Sequence, residues 1–363
     1  MLAADKMGAE AYIVAAVRTP IGRFNGSLAP LSAVQLGSAA IKGALEKCGV
    51  AAAEVDEVIM GNVLSAGLGQ NPARQAARFA GLPDRVVCTT VNKVCASGMK
   101  AVAFAVQSLL LGTADVVVAG GMESMTNAPY YLPKMRFGSK YGDVTAVDGL
   151  ARDGLTDAYD NKAMGFAAEE CAKEYGITRQ MQDDYAIQSY RRAQEATDQK
   201  LFADEIVPVV VKGPRGKGDV VVDKDDEVTN LNVEKLRAIP AIFVTDGTGT
   251  VTAANGSPIS DGACALVLVS RSKLEKLGVK PVARVIGWAD AEQSPVKFTT
   301  SPSLAIPKAL RHAGLTSLDD VDAVELNEAF AVVACANAKI LDLGYEKMNV
   351  FGGAVSMGHP LGW

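Results

Sequence analysis

Histidine is scarce in this chain. Its 363 residues hold only His312 and His359, so imidazole chemistry has two places to occur. Cysteine is present but not in metal-binding or disulfide patterns. The six cysteines, at 48, 88, 95, 171, 264 and 335, include no C-x-x-C spacing. That argues against a structural metal and reads as a reduced, intracellular protein. An excess of positive charge is also lacking. The 36 Lys and Arg stand against 41 Asp and Glu, a formal charge of −5. Such a balance excludes nucleic acid as the expected partner, and a phosphorylated ligand would need a local basic site. Residues 1–11 show no secretory signal, and no Arg-rich transit segment is visible. The most apolar long stretch, residues 101–121, is interrupted by Gln107, Ser108, Thr113 and Asp115. It reads as an amphipathic helix and a buried strand, not as a membrane span.

What is present is a large apolar fraction, 49%, and 35 glycines, which together support a sizeable core with close-packed elements. The length fits two or three domains or one large layered unit. Apolar runs at 12–17 and 114–121 read as buried strands, and 55–63 and 87–91 as further strands. Helical patterns at 33–49, 71–80 and 99–111 alternate with them. This alternation predicts an α/β fold with a covered sheet. After Met122 the character changes. Residues 126–248 are richer in Tyr, Met, Pro and charge, with helical patterns at 166–175 and 181–200 and polar loops at 213–218 and 223–227. That stretch reads as a long excursion that receives substrate. Sheet character returns at 250–270, and another strand starts at 283–288. The domain reading is a first half over 1–125, rejoined by 249–275, an inserted cap over 126–248, and a second half over 276–363.

The second half repeats the first. Ala44-Leu45-Glu46-Lys47-Cys48-Gly49 matches Ala309-Leu310-Arg311-His312-Ala313-Gly314, and Val55-Asp56-Glu57-Val58 matches Val321-Asp322-Ala323-Val324. Each is a helix, a glycine stop and a buried strand. The same register places His359 opposite Cys95, each after a strand, at 348–351 and 87–91. Related halves would bring these equivalent turns together across a pseudo-twofold axis. The repeat also predicts that the second half continues to about residue 386.

Cys95 lies in Thr90-Val91-Asn92-Lys93-Val94-Cys95-Ala96-Ser97-Gly98-Met99-Lys100, at a strand-to-helix turn. The positive end of the helix there is expected to favour the thiolate, and the small residues that follow leave room for a substrate. An inert, buried cysteine is the alternative. His312 falls in a helix at 307–313 and reads as a surface or packing residue. His359 sits in the turn Gly358-His359-Pro360-Leu361-Gly362 and could take the proton of a thiol nucleophile. Asn327-Glu328-Ala329-Phe330 follows the apolar run 321–326. Helix capping is the plainer reading of Asn327. Holding a water or serving an oxyanion is the other.

Taken together, four motifs carry a family resemblance. They are Val94-Cys95-Ala96-Ser97-Gly98-Met99-Lys100, Gly120-Gly121-Met122-Glu123-Ser124-Met125, Asn327-Glu328-Ala329-Phe330, and Gly352-Gly353-Ala354-Val355-Ser356-Met357-Gly358-His359-Pro360. The chain resembles the thiolases over essentially its whole length, and most closely the cytosolic, biosynthetic acetoacetyl-CoA type. The resemblance implies two similar halves in a five-layered αβαβα sandwich with an inserted loop domain. It implies that acetyl-CoA acetylates Cys95, with His359 as the base, and that a second acetyl-CoA condenses with the acyl group to give acetoacetyl-CoA and CoA. Asn327 would position a water at the enolate oxygen, and the Cys95 amide would serve the other oxyanion.

By the same resemblance, Tyr190, Lys235 and Ser257 contact CoA, while Leu155, Met164, Phe243, Ala329 and Phe330 line the pantetheine and acyl pocket. Some relatives bind potassium at positions matching Tyr190, Ala253, Ala254, Gly256 and Val355. Gly256 replaces an alanine there, and Ala163 stands where many relatives carry a histidine. No organic cofactor is implied beyond CoA as substrate and product. No membrane partner is implied, a homodimer or homotetramer is, and the compartment is cytoplasmic, with mitochondrial as the alternative. The family's second catalytic cysteine matches a position beyond residue 363, as do the last helix and strand of the second half. The expectation on that basis is impaired condensation by the chain as given. A degradative 3-ketoacyl-CoA thiolase and a non-catalytic acyl-CoA-binding protein of the same fold are the other readings. The bulk of Met164 and Tyr159 favours small acyl groups.

Overall fold

The computed structural model describes residues 9–213 and 218–363. Residues 1–8, in the segment read for a signal sequence, and 214–217, in the polar loop read at 213–218, lie outside the described residues. In chain order the elements are β1 (Ala11–Arg18), β2 (Gly22–Arg23), α1 (Ala33–Cys48), β3 (Glu57–Gly61), α2 (Pro72–Phe79), β4 (Val87–Val91), α3 (Ser97–Leu111) and β5 (Val116–Ser124). Next come β6 (Tyr130–Tyr131), β7 (Val147–Asp148), α4 (Met164–Tyr175), α5 (Arg179–Asp198), β8 (Val209–Val211), β9 (Val220–Val222) and α6 (Val233–Ala238). The chain then runs through β10 (Ser260–Ser270), α7 (Arg271–Leu277), β11 (Ala283–Val285), α8 (Pro302–His312), α9 (Ala331–Leu341) and α10 (Ala354–Met357).

One mixed sheet organises the first half, in the order β11-β1-β10-β5-β3-β4 with β2 on β10. β3 is parallel to both β4 and β5, and α2 and α3 make the crossovers that parallel neighbours require. β10 inserts antiparallel between β1 and β5. The whole of β5 is buried because its alternate side chains enter two cores. Val116 and Val118 pack with Leu36 and Ile41 of α1 and Ala73 and Ala76 of α2. Val117 and Ala119 pack with Ala101, Ala105 and Leu109 of α3. Apolar on its own, α3 is thus the core helix of one sheet face.

Local signals set most boundaries. Ser32 and Gln35 form a capping box at the start of α1, and Gly49 ends it at φ 70°. Asn71 caps α2, with Pro72 in its first turn. α8 begins earlier than expected, at Pro302, and takes Pro307 into its interior.

Four strand expectations shorten or fail. The run at 250–270 is regular only from Ser260, because Gly256 bridges to Phe330 and the Ser257 amide donates to the Ala329 carbonyl. The run at 283–288 is regular only to Val285, and as β11 it pairs with β1 of the first half, although it lies in the span read as the second. The runs at 321–326 and 348–351 form no ladder, only a parallel bridge between Val324 and Met348. β3 has a neighbour on each side, whereas Val324 has one among the described residues. Single-sided parallel pairing leaves little to hold a regular strand. α9 nevertheless is buried from Ala331 to Ala338, packing with Ala168 and Cys171 of α4 and Tyr185 of α5.

Candidate active site

Cys95 sits in a tightly held turn between β4 and α3. Val94 has φ 48°, a strained setting for a β-branched residue. Ser97 stabilises it: its Oγ accepts from the Lys93 amide at 2.8 Å and donates to the Val94 carbonyl at 2.6 Å. The N-cap of α3 is Ala96, so Cys95 falls outside the first helical turn. Burial pushes the Cys95 thiol up to about 11, and the nearby Glu123 adds to the rise. The sequence expectation of a thiolate favoured by the helix end is therefore reversed. Desolvation and a neighbouring carboxyl outweigh a field that fades within one turn. Cys95, Leu155 and Ile259 pack on a floor of Val63, Leu64, Met125, Leu150 and Leu361.

The turn holding His359 arrives from the other half. Gly358 has φ 114°, and a Cβ there would fall 2.3 Å from the Ser260 hydroxyl, so only glycine fits. The His359 amide donates to the Pro258 carbonyl at 3.2 Å. Burial lowers the imidazole to about 4, which keeps it neutral near pH 7 and able to accept a proton. Its Nε2 lies 3.4 Å from Asn327 Nδ2. Two residues on, Leu361 is part of the Cys95 floor. Gly362 then crosses β3 and β5 so closely that a Cβ on Gly61 or Gly121 would fall 2.3 or 2.1 Å from its carbonyl oxygen. A Cβ on Gly98 would meet Trp363 backbone at 2.7 Å. The two equivalent turns meet at one place. His312 is remote from this, its ring paired with the Trp288 carbonyl on the surface.

Glu328 anchors the neighbouring segment, which follows the Val324 bridge. It is fully buried and accepts from Tyr185 Oη at 2.7 Å, Ser189 Oγ at 2.8 Å, Asn349 Nδ2 at 2.9 Å and the Val355 amide at 3.0 Å. Asn349 in turn holds Leu326 through the latter's amide and carbonyl. This fixes Asn327, which is exposed and does not cap α9. Phe330 occupies that N-cap without a side-chain bond, which corrects the plainer sequence reading. With Glu328 buried beneath it, the Asn327 side chain is left facing His359.

The remaining candidates fall into two groups. Leu155 is in the Cys95 floor, and its carbonyl accepts the Met164 amide at 2.9 Å. Met164, Ala163 and Phe166 line a cleft with Tyr159, Lys162 and Val296. The Phe243 ring stacks edge-on with Phe166 and Phe330. Gly165 is needed for this, since a Cβ there would fall 1.9 Å from the Phe243 ring. Ser257 Oγ donates to the Ala329 carbonyl at 2.9 Å, which engages its hydrogen locally. Tyr190 lies apart, packing with Leu236, Val355 and Ala254, its hydroxyl donating to Glu227 at 2.9 Å. Burial and Glu227 raise its pKa. Lys235 is exposed on α6, one residue before Leu236. Ala253 is exposed and Gly256 is buried.

Sequence reading gave Ser97 only the role of a small residue beside the sulfur and did not single out Gly165 or Glu123, although Glu123 stands inside a quoted motif. A fully buried glutamate in an otherwise apolar strand was the available signal. Glu123 accepts from Asn62 Nδ2 at 2.8 Å and from the Val63 and Leu64 amides at 2.9 and 3.1 Å.

A solved structure shares this arrangement. The thiolase Acat5 of Ascaris suum, in complex with coenzyme A, superposes with a TM-score of 0.92 at 44% identity, over 97% of this chain and 90% of that one. The mixed sheet and two facing turns are those of the thiolase fold. Residues 11–272 match the thiolase N-terminal domain and 279–363 the thiolase C-terminal domain, so the chain belongs to the thiolase family. It is 60% identical to an acetyl-CoA acetyltransferase of Schizosaccharomyces pombe, over 97% of this chain and 89% of that protein. It is 58% identical to the cytosolic acetyl-CoA acetyltransferase ERG10 of Gibberella zeae, over 97% and 88%, and 55% identical to the acetyl-CoA acetyltransferase of Saccharomyces cerevisiae, over 98% and 90%.

Proposed function

We propose that this chain is an acetyl-CoA C-acetyltransferase that joins two acetyl-CoA into acetoacetyl-CoA and CoA, reversibly, at the head of mevalonate and sterol synthesis. The observation that supports the reading is that the floor under Cys95 includes Leu361, two residues past His359, whose Nε2 lies 3.4 Å from Asn327 Nδ2. In the first step the Cys95 sulfur attacks the thioester carbonyl. His359 takes the thiol proton, the carbon–sulfur bond to CoA breaks, and the proton passes to the departing CoA. In the second step a methyl carbanion of another acetyl-CoA attacks the acetyl-cysteine, a carbon–carbon bond forms, and Cys95 leaves. The family resemblance assigns removal of that methyl proton to a cysteine outside residues 1–363. Asn327, through a water, and His359 stabilise the enolate oxygen, and the Cys95 amide serves the tetrahedral oxyanion.

The contact run Leu155, Met164, Phe243, Phe330 and Ala329 forms the pantetheine side of the site, with Ser257 beside it and Tyr190 and Lys235 further out. Residues 126–248 act as the cap, over halves formed by 1–125 with 249–275 and by 276–363. The test isolates the first step. Acetyl-CoA is mixed with labelled CoA, and exchange of label and mass addition of acetyl to Cys95 are measured. Absence of both sinks the reading, and faster turnover of a long 3-ketoacyl-CoA than of acetoacetyl-CoA points to the degradative type.

A potassium site formed by Tyr190 Oη and the carbonyls of Ala253, Ala254, Gly256 and Val355 belongs to the same proposal. The set is all oxygen, as a hard cation requires, and three of its members pack together. Melting in KCl is expected to exceed melting in NaCl at equal ionic strength, and equal melting temperatures argue against the site. The assembly is a homodimer or homotetramer, checked by sedimentation. The compartment is the cytoplasm, checked by fractionation.

A further inference from the structure

Glu123 is a buried charged side chain that touches both halves at the site. It is fully buried at the sheet centre. Its carboxylate gathers Asn62 Nδ2 and the amides of Val63 and Leu64 from the loop after β3. The Gly362 amide, three residues past His359, donates to it as well, and a Cβ on Gly362 would fall 2.8 Å from its Oε2. Val63 and Leu64, whose amides are two of these donors, and Leu361, next to Gly362, are part of the floor on which Cys95 rests. Asn62 completes the arrangement. Its Nδ2 also donates to the Met122 carbonyl at 3.0 Å, while its buried Oδ1 has no partner.

We propose that Glu123 is a positioning residue that holds the Cys95 floor and the His359 turn in register, and that it does so best as a carboxylate. This rests on the acetyl-transfer reading above. Four N–H donors converge on two oxygens, so the ionised group satisfies all of them. A proton on either oxygen meets an N–H donor unless the carboxyl turns toward Asn62 Oδ1, which breaks the present alignment. The charged and titratable groups facing Glu123 are Asp261 on β10 and Cys95 on the α3 turn. Burial, and secondarily Asp261, raises Glu123 to about 7, against the pull of the three amides. The register is therefore tight above that pH and slackens as pH falls through it. The sign for stability is opposite. A raised folded pKa means that the group's favourable contribution is complete below its unfolded value and declines as pH rises toward 7.

The experiment measures the rate of Cys95 acetylation by acetyl-CoA from pH 4 to 9, with melting temperature, in wild type, Glu123→Gln and Asn62→Ala. Wild type is expected to show an acid limb near 7. Glu123→Gln should acetylate about tenfold to a hundredfold more slowly at pH 8, with KM for acetyl-CoA little changed, and should lose that limb, leaving only the one near 4 from His359. Asn62→Ala, which removes one donor from the carboxylate, should move the limb upward. A Glu123→Gln chain with the wild-type rate and limb overturns the proposal. So does an unmoved limb in Asn62→Ala, which decides the matter if Glu123→Gln fails to fold. A wild-type chain that accepts no acetyl at Cys95 overturns the functional reading itself, whereas normal wild-type acetylation with either contrary mutant result overturns the clamp alone.

Discussion

Cys95→Ser is expected to lower acetyl transfer from acetyl-CoA by at least about 10⁴-fold while leaving the fold intact. The reason is the proton, not the shape. The Cys95 thiol is already pushed up to about 11, and the His359 imidazole is pulled down to about 4. At neutral pH the resting pair is therefore neutral thiol and neutral imidazole. A proton moves only as the thioester carbonyl approaches and the sulfur begins to bond. A serine hydroxyl is a far weaker acid than any thiol, and a histidine this depressed is too weak a base to help it. The oxygen is smaller and meets the same apolar floor of Val63, Leu64 and Leu361, so packing changes little. Isotope exchange between acetyl-CoA and CoA, read beside the thermal melt, is the measurement. A serine variant within tenfold of wild type contradicts the assignment of Cys95.

Glu328→Gln is expected to destabilise the protein by roughly 3–5 kcal/mol and to weaken acetyl transfer through displacement of Asn327. Glu328 accepts from Tyr185, Ser189, Asn349 and Val355 with no exposure to water. A glutamine offers one acceptor oxygen and turns an NH₂ group toward donors, so buried N–H or O–H groups lose partners. There is also no room to retreat. A Cβ on Gly353 would already lie 2.5 Å from the carboxyl carbon. The network links α5, the segment carrying Asn327 and the turn leading to His359, so the loss spreads to all three. Urea unfolding gives the stability change, and a loss below about 1 kcal/mol would show that the network is not cooperative.

These two residues show how differently the chain reveals its parts. Cys95 stands out in the sequence because strand pattern, small residues and helix pattern meet around it. His359 stands out because only two histidines exist and the internal repeat places one of them opposite Cys95. Glu328 was visible only as a motif letter, and Glu123 drew no role at all. Their function depends on donors sixty, or more than a hundred, positions away, such as Asn62 for Glu123 and Tyr185 for Glu328. Asn327 was read first as a cap because capping is a local property, and a local pattern cannot show that Glu328 already fixes the segment from below.

The order of strands also needed the tertiary fold. Local pattern predicted β3, β4 and β5; β3 and β5 bury apolar runs, whereas β4 has no buried residue. It could not predict that β10 inserts between β1 and β5, or that the run at 321–326 keeps only one bridge, because pairing is a contest among distant segments.

The sequence alone determined the α/β class and the family, and it pointed to Cys95 and His359 as a candidate pair. The class rests on periodicity and the family on motif resemblance, and both are written along the chain. The tertiary structure decided the protonation of the site. Whether Cys95 is a thiolate or a thiol, and whether Glu123 carries charge near pH 7, depends on how much water is excluded and which dipoles converge. Burial set against a fading helix field raised the Cys95 thiol rather than lowering it, and in the proposed mechanism His359 takes its proton.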